Sequence, residues 1–238
     1  MKVFFPAEGE TDLVREFFQS RIGYFVDVGA NQPDSGSQTF HLEQLGWTGV
    51  LIEPLPEWAE ANRRQRKAKV YEVICSSPQN DGRTMSFQVA GAFSSLDMDA
   101  ANAKATAVAT IQVPATTLDK ILIDAQAVAP IDFLSIDVEG HEIDVLRGFD
   151  IQRWRPRLIL IEDLVIHRRL HNYLLAQGYA WMRRTGINSW YVPAPLPQPI
   201  DFQGRLKFFR KYYLGTPFRR LRQIGRQIRR RMGLIRQV

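Results

Sequence analysis

The chain has 238 residues, 45% apolar and 24% charged, with a net charge of +6, which suits one sizeable α/β domain with an appendage. A single cysteine, Cys75, excludes an internal disulfide, and no apolar run approaches the ~18 residues of a membrane span. The opening "MKVFFPAEGETD" meets Pro6 and acids too early for a secretory leader, so a cytoplasmic protein is expected. Taken in chain order, "YFVDVG" (24–29), "GVLIEP" (49–54) and "KVYEVICS" (69–76) read as strands, as do "IDFLSIDV" (131–138) and "PRLILIED" (156–163). Their near-continuous hydrophobicity predicts parallel strands covered on both faces. Helices are predicted over 36–45, closed by Gly46, and over 56–68, opened by Pro56. Two more are predicted over 116–126 and 167–178, the last capped by Gly178. "YAWMRR" (179–184) and "NSWYVPA" (188–194), separated by "TGI", predict an antiparallel hairpin, and a proline-rich linker follows.

Alternating strands and helices predict right-handed crossovers and a doubly wound, Rossmann-like sheet, whose ligands bind outside the carboxyl ends of the strands. Three predicted strands end there in acid: Asp27 with Gly29, Glu53, and Asp137 with Glu139. Gly29 would let a ligand approach the backbone closely. Glu53 follows it by about the 20 residues that place a carboxylate on a ribose diol. Ala30, Asn31 and Pro33 stand where a dinucleotide site needs further glycine for a pyrophosphate. A cofactor with ribose but no pyrophosphate therefore fits, and S-adenosyl-L-methionine is the common one. Asp27 would lie near its cationic methionine end. Asp27, Gly29, Asn31, Glu53 and Asp137 are the expected cofactor-binding residues, joined by Ser94 from the small-residue loop "AGAFSSLD" (90–97).

"FVDVGAN", "LIEP", "VPATTLDKIL", "IDFLSIDVEGHEIDVLRGFD" and "PRLILIED" occur here in the order found in the FkbM family of S-adenosylmethionine-dependent methyltransferases, which residues 21–165 resemble. The most specific part, I-D-V-E-G-x-E-x-x-V-L-x-G, is complete from Ile136 to Gly148. The resemblance implies a class I methyltransferase fold, with a seven-stranded sheet and an antiparallel final hairpin. It also implies O-methylation of hydroxyl groups, on sugars of surface polysaccharides or on secondary metabolites.

Methyl transfer needs the acceptor oxygen aligned with the methyl donor and a base for its proton. Asp137, Glu139 and His141 follow the strand directly and are the catalytic candidates. Asp137 is assigned to positioning cofactor or acceptor, Glu139 to the base or acceptor clamp, and His141 to an auxiliary role. Glu142 and Asp144 are read as favourable charges at a helix start. Asp137, Glu139 and Glu162 would also make a hard oxygen site suited to Mg²⁺, but these carboxylates are assigned to proton and acceptor handling, with no metal. Trp181 and Trp190 are candidates for stacking on a sugar face.

Charge divides the chain. From Arg205 onward there are twelve Lys or Arg and no acid, so residues 1–204 carry about −6 and the remainder +12. The reading gives a methyltransferase domain over 1–195, a linker over 196–204 and a basic tail over 205–238. Thr216 and Pro217 would open a tail helix with Phe218, Leu221, Ile224, Ile228, Met232 and Ile235 along one stripe. Such a tail fits an anionic membrane surface, so the protein is expected to meet the inner membrane face peripherally. Its expected acceptor is a hydroxyl-bearing glycan or lipid-linked sugar. The alternative is RNA methylation or nucleic-acid binding through the tail. The tail is expected to be dispensable for folding.

Overall fold

The computed structural model describes residues 9–89, 109–165, 168–196, 199–219, 221 and 224–225. A seven-stranded sheet runs in the order β3-β2-β1-β7-β8-β10-β9. Its strands are β1 (Tyr24–Val28), β2 (Thr48–Ile52), β3 (Lys69–Tyr71), β7 (Phe133–Ile136), β8 (Leu158–Glu162), β9 (Tyr179–Thr185) and β10 (Asn188–Pro193). The first five are mutually parallel, while β10 runs antiparallel to both neighbours. This is the sheet and final hairpin expected from the sequence.

Strand alternation sends successive side chains to opposite cores, because the side-chain period is two. Val26, Val28, Leu134, Ile136, Ile159 and Ile161 pack on one face. There they meet α4 (Leu118–Asp124), α5 (Glu142–Arg147), α6 (Ile151–Trp154) and α7 (Arg169–Ala176). Phe25, Leu51, Phe133, Leu158, Leu160 and Trp190 face the other way, toward α1 (Glu10–Phe18) and α2 (Phe40–Gln44). Burial on both faces is why these strands are apolar at nearly every position. Among the described residues no helix is long and apolar enough to cross a membrane.

Four expectations shift. The 69–76 run divides: β3 stays in the large sheet, while β4 (Ile74–Cys75) joins β5 (Thr84–Val89) and β6 (Ala109–Thr116) in a second sheet. Cys75 turns into the main core and Ile74 into a smaller one with Phe87 and Val113. Helix α2 starts at Phe40 rather than 36, because the Ser37 hydroxyl accepts from the amides of Thr39 and Phe40 in a preceding turn. Helix α3 (Pro56–Gln65) stops short of 68 because Arg66 is extended and buried in an ion pair with Glu43 at 2.8 Å. Trp181 and Trp190 are core residues, 4% and 0% exposed, so neither offers a face to a sugar.

The first part of the basic segment is packed on the domain. Helix α8 (Phe202–Phe208), capped by Asp201, runs into a π-helical turn (Phe209–Leu214). Tyr212 is buried, and its hydroxyl donates to Asp163 Oδ2 at 2.6 Å while lying 2.9 Å from Ser189 Oγ. Phe208 stacks on Tyr212 with ring centroids 4.6 Å apart and meets Trp181 at 4.8 Å. Lys207 donates to the carbonyl of Arg184 at 2.7 Å. Residues 215–219 are helical as expected but continue directly from the π turn, so Thr216 lies inside the helix rather than capping it, and its hydroxyl donates back to the Tyr212 carbonyl at 2.7 Å. Ile228, Met232 and Ile235 lie outside the described residues.

Candidate active site

A cleft of about 390 Å³ opens at the carboxyl ends of β1, β2 and β7. Gly29 and Glu53 line one part of it and Asp137, Glu139 and His141 another, with the 185–188 turn across from them. Gly29 has φ +86°, and a Cβ there would collide with the carbonyl oxygen of Asp137. Glycine is thus required by the close passage of the β1 and β7 exits, apart from any ligand. The amides of Gly29 and Ala30 both donate to the Ile52 carbonyl, at 2.9 and 3.1 Å.

Asn31 follows in a left-handed conformation that turns its amide onto Glu53. Glu53 Oε2 accepts from Asn31 N at 2.7 Å and Oε1 from Leu55 N at 2.8 Å. Each carboxylate oxygen therefore keeps a lone pair for another donor. Burial pushes the Glu53 carboxyl up to about 7, opposed by the Leu55 and Asn31 amides. The Asn31 carbonyl is held by Asn62 Nδ2 at 2.6 Å. Asp27 is buried on β1, and its Oδ2 accepts from the Thr39 hydroxyl at 2.7 Å. Burial raises its carboxyl, against the Thr39 hydrogen bond and the Arg66 charge.

At the other end, the Asp137 amide extends the sheet by donating to the Val28 carbonyl at 2.9 Å. Glu139 and Gly140 then adopt φ of 52° and 102°, bending the chain sharply. Gly140 N donates to Glu142 Oε1 at 2.8 Å, so Glu142 closes the turn as a helix-start acid should. Burial pushes Glu142 up to about 7. One carboxylate oxygen each from Asp137, Glu139 and Glu162 lie within 4.8 Å of one another, a donor set with the chemistry of a hard divalent cation site.

His141 lines the cleft, but its ring is engaged. Nε2 lies 2.8 Å from Ser76 Oγ, and Nδ1 faces Asp144 Oδ2 at 3.6 Å. Asn80 Nδ2 donates to Ser76 Oγ at 2.9 Å. A ring proton on Nδ1 would face Asp144 and leave Nε2 to accept from the Ser76 hydroxyl. Burial lowers the imidazole pKa and the Asp144 charge opposes it, which fits a neutral ring. His141 thus ties β4 to α5 through Nε2, while Nδ1 faces Asp144 beyond hydrogen-bond distance.

The structure brings Asp27, Gly29, Asn31, Glu53, Asp137, Glu139 and His141 to one site. Asp27, Gly29, Asn31, Glu53, Asp137, Glu139 and His141 all border the cleft, whereas Ser94 lies outside the described residues. Sequence reading missed Ser76 and Glu10. Buried Glu10, on α1, accepts from Gln38 Nε2 at 2.8 Å, from Asn188 Nδ2 at 2.9 Å and from the Thr185 hydroxyl. Gln38, Thr185 and Asn188 all line the cleft, so one carboxylate holds two of its walls. An acid in the first turn of an amphipathic helix carries no signal of that role.

No curated protein matches the sequence. Among solved structures, the methyltransferase FkbM from Methylobacillus flagellatus KT is similar at 16% identity, with 72% of this chain and 43% of that one covered and a TM-score of 0.46. Monomeric WbdD is similar at 15% identity, covering 77% of this chain and 40% of its own, with a TM-score of 0.42. The human methyltransferase 10 domain containing protein shares 12% identity, with coverages of 80% and 82% and a TM-score of 0.41. This chain spans less than half the length of the first two. The sequence matches the methyltransferase FkbM domain over residues 27–180, well over half of its length. With the strand order and the intact 136–148 motif, that match places the chain in the FkbM methyltransferase family, on a class I methyltransferase fold.

Proposed function

We propose that the protein transfers a methyl group from S-adenosyl-L-methionine to a hydroxyl, in a sugar of a glycan or lipid-linked sugar or in a secondary metabolite. The observation that carries this reading is Glu53: a buried carboxylate at the end of β2, held by two backbone amides with a lone pair left on each oxygen. That is the pair of acceptors a ribose diol needs for its two hydroxyl donors, and the residues present fit the cofactor. The cofactor, when bound, supplies an electrophilic methyl group on a sulfonium. Glu53 would take the ribose hydroxyls, with Gly29 and Asn31 shaping the adjacent backbone and Asp27 offering negative charge toward the cationic end.

At the acceptor end, Glu139 would accept the hydroxyl proton as the oxygen attacks, a role worth ~10²–10⁴-fold in rate. Asp137 would orient the acceptor, and orientation can contribute roughly 7–11 kcal/mol. Neighbouring carboxylates favour a polyhydroxylated acceptor, whose hydroxyls donate to them, over a phosphate backbone, which they repel. RNA methylation is the second reading, supported by the cations of residues 205–219. Incubation of the protein with methyl-labelled S-adenosyl-L-methionine and fractionated cell extract separates the two. Label in glycan, glycolipid or a hydroxylated small molecule is expected; label in RNA would replace this reading with the second.

A further inference from the structure

The docked helix has a second face. Phe208 and Tyr212 turn inward, while Phe202, Leu206, Phe209, Tyr213, Phe218 and Leu221 turn out into solvent. Phe202 is 79% exposed, Phe218 67% and Leu221 64%. Large apolar side chains left bare along one line of a helix mark an interaction surface. The charges beside them are predominantly positive, Glu16 and Asp201 being the acids of the adjoining cleft. Arg205, Lys207, Arg210, Lys211 and Arg219 come from this segment, and Arg183 from β9 stands across a broad cleft from it. Lys211 is held below its usual range, first by partial burial and then by the like charges of Arg184, Arg219, Lys207 and Arg210. Asp201, the acid at the start of the segment, is committed to capping α8 through Gly204 N at 2.6 Å.

From this juxtaposition of a bare apolar stripe and crowded cations on a helix pinned to the domain, we infer that residues 202–219 with Leu221 are a docking face for an anionic membrane surface. Cations settle among lipid headgroups, and the apolar stripe enters the boundary with the acyl chains. Each basic residue near such a leaflet raises binding roughly fivefold. A nucleic-acid partner would use the cations but leave Phe202, Phe218 and Leu221 uncovered. The inference is independent of the reaction proposed above, since no residue of the face borders the active-site cleft.

The test is co-flotation of the full chain with vesicles of phosphatidylcholine alone or mixed with phosphatidylglycerol. Capture by the mixed vesicles, weakened by added salt and absent for phosphatidylcholine alone, is expected. The triple variant Phe209→Ser, Phe218→Ser, Leu221→Ser should bind at least ~10-fold more weakly with an unchanged melting temperature, because all three side chains are exposed. Arg210→Glu should weaken capture separately. The inference is overturned if mixed vesicles do not capture the chain or if the triple variant is captured equally well. It is also overturned if an RNA duplex binds the chain while vesicles do not. Calorimetric titration of S-adenosyl-L-methionine into the triple variant keeps the outcomes distinct: unchanged affinity isolates a docking failure from a failure of the catalytic reading.

Discussion

Glu53 titrates near neutrality, so cofactor binding should depend on pH in a calculable way. Its carboxyl sits at about 7 in the folded protein against 4.5 as reference. Hydroxyl donors need the ionised form at both oxygens, so affinity should be full above pH 7 and fall as pH drops through that value. At pH 5.5, about 1.5 units below, the loss reaches up to ~30-fold. Stability should move the opposite way. A carboxyl whose folded pKa is raised contributes stability that is present below its unfolded value and lost as pH rises toward 7, roughly 3 kcal/mol in all. Glu53→Gln removes the titrating proton, so its affinity should be weaker at pH 8 and nearly flat with pH. One of the Asn31 and Leu55 amides would also lose its acceptor. Calorimetry of S-adenosyl-L-methionine binding from pH 5.5 to 8.5, with melting curves over the same range, reads both effects. A flat profile in the native protein, or an unchanged slope in Glu53→Gln, would refute the assignment of Glu53 to the ribose.

Glu139→Gln should leave cofactor affinity nearly intact and lower turnover by at least ~10²-fold in single-turnover assays, as loss of a general base does. Tyr212→Phe strips the hydroxyl that donates to buried Asp163 and should destabilise the fold by about 1–3 kcal/mol, seen as a lower melting temperature. Glu10→Ala leaves Gln38, Thr185 and Asn188 without their shared acceptor. It should raise KM for the acceptor more than it lowers kcat, measured by steady-state methyl transfer.

Much of this arrangement is legible in the chain because two-sided burial makes β1, β2, β7 and β8 continuous apolar runs with acids at their exits. The β5–β6 pair was not legible: Thr84, Ser86, Thr110 and Gln112 leave it half polar, and its pairing spans a long connection. Ser76 and His141 meet across 65 positions, and Glu10 reaches Asn188 across 178. No local pattern announces either contact. The tail read from its linker, charge and apolar stripe as a separate appendage includes a packed segment, in which Tyr212 is buried while Tyr213, one residue on, faces solvent. Adjacent aromatics in a basic run do not reveal which of them is the anchor.

The contact between Gly29 and the Asp137 carbonyl has a consequence for genetics. Any side chain at position 29 must push on the peptide that aims Glu139, in addition to adopting an unfavourable φ. A lesion there therefore cannot be sorted into a pure recognition defect or a pure rate defect, since both ends of the cleft share that one point of contact. Suppressors of a Gly29 allele are to be sought in residues 137–140, where a shift of the backbone could restore the clearance, rather than around Glu53.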